Sequence, residues 1–156
     1  MLFSLQVSCE EISAEIPKEV VIAHALRAMV YVPSFKQGLI AEKRRTGNTN
    51  LFIETTLTVS DSTLEQIVSR VFGKYLSRAQ ANELLEFYES PTGRALIADQ
   101  ARDPLDQNPQ LHLNSSQMYE VGSFTNSATG KAFAHISGNQ AIWKEIRDAI
   151  QSELVK

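Results

Sequence analysis

Cysteine is almost missing from this chain: Cys9 is the only one in 156 residues. One thiol excludes an internal disulfide and a multi-cysteine metal site. It leaves the compartment open, because a cysteine-poor exported protein looks the same. Histidine is scarce too. His24, His112 and His135 are far apart, and none falls in H-E-x-x-H or another spacing that sets two ligands on one helix face. His24, flanked by Ala23 and Ala25, reads as a core or boundary histidine. No P-loop, dinucleotide glycine pattern or G-x-S-x-G elbow occurs, so no cofactor is expected. No run approaches the ~18 uninterrupted apolar residues of a membrane span. "LQVSC" lacks the charged region and long apolar run of a lipoprotein leader, and export would need a signal peptide that this sequence does not show.

Excess charge of one sign is also lacking. The net charge is −3, with 43% hydrophobic and 21% charged residues, which gives no basic face for nucleic acid. The one basic run, Lys43-Arg44-Arg45, precedes Thr46-Gly47 and reads as a helix C-terminus. Carboxylates recur at Glu11, Glu15 and Glu19 and at Glu83, Glu86 and Glu89. Polar neighbours make both sets read as solvated helix faces rather than acid–base pairs. Asp99, Asp103 and Asp106 miss the calcium-loop pattern. Nothing local supports a Cys9–His dyad.

What is present is helical punctuation. Ser8-x-x-Glu11, Ser34-x-x-Gln37, Ser62-x-x-Glu65 and Ser77-x-x-Gln80 have capping-box spacing. Leu64, Ile67, Val68, Val71, Phe72, Tyr75 and Leu76 fall on one face of a 3.6-residue helix. Ala81, Leu84, Leu85 and Tyr88 continue the pattern. Ile136, Trp143, Ile146, Ile150 and Leu154 form another stripe, whose phase favours a helix that continues through Gly138. "PKEVVIAHALRAMVYV", from Pro17 to Val32, is apolar nearly all round and predicts a central buried helix. "LFIETTLTV" has strand-like β-branching but no partner strand, and reads as an extended connector or irregular helix. The expected fold is all-α: one domain over 1–156, an irregular bundle of six to eight short helices. The long proline-containing loop around Pro104 and Pro109 is the expected flexible segment.

Two stretches look alike. "ELLEFYESPTGRAL" (83–96) and "EVGSFTNSATGKAF" (120–133) align when Phe87 is set on Phe124. Ser90 then meets Ser127, Thr92 meets Thr129 and Gly93 meets Gly130. Each reads as a helix–corner–helix. Pro91 disfavours helix at Ser90, so Ser90 becomes the next N-cap with Pro91 in the first turn. Gly93 and Gly130 permit close approach, and Phe87 and Phe124 are placed to fill the angle of each corner.

"FYESPTGRAL", with the helix before it, resembles a widespread bacterial domain-of-unknown-function family marked by FY-x-S-P-x-G. Phe87, Tyr88, Ser90, Pro91 and Gly93 carry the match, over about residues 59–100. The second stretch departs from it, with Thr125 for the tyrosine and Ala128 for the proline. The resemblance implies an all-helical fold and a periplasmic or secreted location, with a cytoplasmic one as the alternative. It implies no activity.

The expected function is a non-catalytic binding or interaction domain of the cell envelope, its partner a protein, peptide or apolar ligand. The aromatics Phe87, Tyr88, Phe124, Phe133 and Trp143 would line an apolar groove if the corners face each other; otherwise they make core. Two alternatives belong to other classes: an inhibitor or immunity-type protein acting through a helix face, and a hydrolase assembling a histidine, a carboxylate and a nucleophile in space.

Overall fold

The computed structural model describes residues 16–47, 50–100 and 112–154. Cys9, Glu11, Glu15, Asp103, Asp106, Pro104, Pro109 and the Ser8 cap lie outside them, as does the side chain of Leu154. Among the described residues the chain is all-α, with nine helices and no strand: α1 (Lys18–Ala28), α2 (Tyr31–Thr46), α3 (Leu51–Thr58), α4 (Asp61–Phe72), α5 (Arg78–Glu89), α6 (Pro91–Gln100), α7 (Ser115–Asn126), α8 (Ala128–Gly138) and α9 (Gln140–Leu154). That exceeds the expected six to eight because two apolar stretches each break in two.

The first break is inside "PKEVVIAHALRAMVYV". Val30 takes the left-handed conformation, φ 52° and ψ 36°, and turns the chain from α1 into α2. A β-branched residue pays steric strain there. The second break is at Asn139. Its backbone is extended (φ −87°, ψ 116°), and its side-chain oxygen accepts from the amides of Ala141 and Ile142. The apolar stripe keeps its phase across this break, but an N-cap decides the backbone, so α8 and α9 are separate helices.

Central burial of α1 holds. Ile22, Ala25 and Leu26 are at most 1% exposed, and α1 packs on both α4 and α5. From α4, Leu64, Ile67, Val68, Val71 and Phe72 all face inward, each contributing roughly 1.5–3 kcal/mol by burial. Tyr75 leaves the stripe: α4 stops at Phe72, and the Tyr75 hydroxyl donates to Glu145 at 3.1 Å on the surface. Ile142, Ile146 and Ile150 close the core from α9. Tyr31, Phe72 and Phe133, from α2, α4 and α8, meet edge to face with ring centroids 5.9–6.4 Å apart.

The caps are partly displaced. Ser77–Gln80 is a reciprocal capping box. Ser34 is inside α2, and α4 is capped by Ser60, not Ser62. A second reciprocal box, Asn114–Gln117, opens α7. The β-branched stretch is helical because Asn50 caps it and Thr56 returns its hydroxyl to the Phe52 carbonyl. Gly47, in the left-handed region at φ 66°, ends α2 after the basic run. Lys36 ties α2 to the start of α4, donating to the Val59 carbonyl at 2.6 Å and pairing with Asp61 at 2.7 Å. Arg27 reaches from α1 to the largely buried Glu65 of α4 with two short contacts, 2.9 and 2.5 Å.

Candidate functional site

Each corner is built by one serine. α5 ends at Glu89 and α6 begins at Pro91. Between them, Ser90 Oγ accepts from the Gly93 amide at 3.0 Å and donates to the Phe87 carbonyl at 2.6 Å. One hydroxyl therefore closes the end of one helix and the start of the next. Ser127 does the same between α7 and α8, accepting from Gly130 at 3.0 Å and donating to Phe124 at 2.6 Å. A Cβ on Gly93 would fall 2.1 Å from the Phe87 carbonyl oxygen, and one on Gly130 would fall 2.1 Å from that of Phe124. The close approach is thus to the backbone of the preceding helix, within the same corner.

The corners face each other. Phe87 and Phe124 do not fill the angles of their own corners; they stack on one another, centroids 3.9 Å apart and planes 2° from parallel. The polar contacts are reciprocal. Thr92 Oγ1 donates to Glu120 at 2.5 Å, and Thr129 Oγ1 donates to Glu83. Glu83 aligns with Glu120 and Thr92 with Thr129, so one contact is the image of the other. The packing follows suit, α5 against α8 and α6 against α7. This is the exchange rule of a two-fold interface, residue i on j and j on i, here inside one chain. Thr92 and Thr129 are buried, so each carboxylate satisfies a hydroxyl that would otherwise be costly to bury.

An open groove of about 430 Å³ runs between α5 and α7. Glu83, Glu86 and Glu120 supply its charge, Ser90, Ser123 and Ser127 its hydroxyls, and Phe87, Phe124 and Tyr119 its apolar surface. Tyr119 is 78% exposed, Met118 beside it is also exposed, and α7 has no fully buried residue. The groove is therefore acidic and aromatic, not simply apolar. Glu83 and Glu86, read from the sequence as a solvated face, line it. Phe133 belongs to the core with Tyr31 and Phe72, and Trp143 stacks on Phe35 at 5.0 Å and donates to the Ser137 carbonyl. Neither lines this groove. Tyr88 packs edge-on against Phe87 and Phe124 and onto the core, and burial raises its phenol pKa.

The histidines stand on separate elements. His24 is exposed on α1, not a core or boundary residue. His135 is exposed on α8, 3.4 Å from the Asn139 amide nitrogen. His112 is held to the largely buried Asp99 of α6 through its ring Nδ1 at 3.1 Å and its backbone amide at 3.2 Å. Among the described residues no group of three or more acidic, histidine or cysteine side chains has metal-binding geometry, and no helix is long and apolar enough to cross a membrane.

Residues 62–102 match the model of a family described as an uncharacterized protein conserved in bacteria, DUF2059. That match spans α4, α5 and α6 with the first corner. The matched segment ends before the second corner, so Glu120, Phe124 and Thr129, which complete the pairing, come from outside it. No curated protein matches the chain, and no solved structure does.

Proposed function

We propose that the chain is a non-catalytic binding domain of the bacterial cell envelope, and that the groove between its corners takes a basic, aromatic-containing peptide segment of a partner protein. The carrying observation is the groove lining: among the described residues, three carboxylates and no cation, set around a ring pair and the exposed Tyr119. Carboxylates favour lysine or arginine in the occupant, and ring faces add cation–π attraction for the same groups. An anionic or purely apolar ligand would desolvate those carboxylates without compensation. The envelope location rests on the resemblance carried by "FYESPTGRAL". We also read the two corners as an internal repeat within one domain, because the same serine, glycine, threonine and glutamate do the same work in each.

A second reading draws on α7. This helix presents Met118 and Tyr119 to solvent, which suits an inhibitor or immunity-type protein acting through a helix face. The two readings differ in which residues bind.

The test is a titration of the full chain with a synthetic peptide of alternating lysine and phenylalanine, against its glutamate–phenylalanine counterpart, at low and high salt. The basic peptide should bind, more weakly as salt rises. Glu86→Gln, which leaves both threonine contacts intact, should weaken it several-fold. Equal binding of both peptides, or none of either, would sink the groove reading. A natural partner whose binding is lost with Met118→Ser but untouched by Glu86→Gln would favour the helix face.

A further inference from the structure

The corner pair has the contact pattern of a dimer interface. Its two halves, 83–96 and 120–133, present the same residues to each other: Phe87 to Phe124, Thr92 to Glu120, and Thr129 to Glu83. A surface that binds its own image does not distinguish the image in its own chain from that in another copy. Nothing in the pairing is specific to an intramolecular partner.

Connectivity permits the exchange. α6 ends at Gln100 and α7 begins at Ser115, and the residues joining them can span about 45 Å when extended. The body beyond that joint is α7–α9. It meets the rest through α8 on α5, α7 on α6, and α9 on α3 and α4, and through the rings of Phe133 on Tyr31 and Phe72 and of Trp143 on Phe35. Each of these contacts re-forms unchanged if α7–α9 comes from a second copy. α7, the first helix after the joint, has no fully buried residue, so what is lost when it leaves is concentrated in the Phe87–Phe124 stack and the Thr92–Glu120 bond, the contacts that a second copy restores.

We infer that the α5–α6 corner is a self-recognising docking surface whose alternative partner is a second copy of this chain, donating its α7–α9 in exchange. The product is a reciprocal dimer with two corner pairs and two grooves. The inference does not depend on what the groove binds.

Ring truncations that complement one another test it. Full-length Phe87→Ala and Phe124→Ala proteins, carrying tags of different mass, are unfolded together in urea, refolded at high concentration and weighed by native mass spectrometry. In either protein alone, every corner pair, within or between chains, holds one truncated ring. The mixed exchanged dimer holds one pair with both rings and one with neither. Aromatic coupling should then raise the mixed dimer roughly two- to tenfold over the statistical share. A statistical mixture, or monomers alone, overturns the inference. Isotope-labelled and unlabelled wild-type chains refolded together guard against variants that do not fold. Dimers of mixed label are expected, and monomers alone count against the exchange in the same way.

Discussion

Gly93 and Gly130 are where one methyl group decides the most. A Cβ at either would lie 2.1 Å from a carbonyl oxygen fixed in the last turn of the preceding helix. Backbone has to move to relieve that. Gly93→Ala and Gly130→Ala should each cost about 2–3 kcal/mol, seen as a lower urea midpoint with an unchanged slope. Gly38, inside α2, is the control. A Cβ there meets nothing within 4 Å, so Gly38→Ala should raise stability by about 0.5–1 kcal/mol through helix propensity alone. If all three substitutions moved the midpoint the same way, steric crowding would not be what holds glycine at the corners. The corner itself was legible residue by residue. Serine before proline, with glycine three places on, specifies a helix end, a cap and a close approach from local chemistry. The partner of Phe87 was not legible, because local chemistry says where a ring points from and not what it meets.

Helix boundaries follow the same division. The Ser77 box and the Gly47 terminus could be read because each is a short-range pattern with one mechanism. The break at Asn139 was hidden because the apolar stripe holds its phase across it, and an asparagine oxygen outweighed the periodicity. The break at Val30 had a local signal just beyond the apolar stretch: Pro33, in the first turn of α2, has no amide to give the Met29 carbonyl and marks a helix start. The break leaves a β-branched residue at φ 52°. Strain of that kind should be removable. Val30→Gly should stabilise the protein by about 1 kcal/mol, since glycine takes the left-handed region without steric cost and relieves more than its extra chain entropy loses. A urea midpoint lower than wild type would show that the Val30 side chain, 42% exposed, contributes more by packing than it loses in strain.

At the level of the whole molecule, Tyr31 joins three helices through its contacts with Phe72 and Phe133. Burial pushes its phenol up to about 12, although Ser137 pulls the other way. The ordinary phenol titrates near 10. A folded-state value above the unfolded one means that the neutral ring is favoured by folding. Its contribution is fully present below about pH 10 and is lost as pH rises through about 12. Stability should fall by about 2 kcal/mol over that window. Tyr31→Phe, which cannot ionise, should flatten that part of the profile. Identical alkaline profiles for the two proteins would place the titrating group elsewhere. The all-α class and the buried α1 were evident from periodicity, whereas the meeting of the two corners depends on residues far apart in the chain and no local pattern encodes it.

That meeting is not perfectly symmetrical. Tyr88 lays its ring edge-on against both phenylalanines, while Thr125, its counterpart, turns its hydroxyl to the Val121 carbonyl and offers no ring. A truly two-fold site would accept an extended peptide equally well in either direction. The groove carries its own asymmetry: Glu86 on one half corresponds to Ser123 on the other, a carboxylate against a hydroxyl, so a bound chain would have a preferred N-to-C sense, and reversing its sequence would make a different ligand.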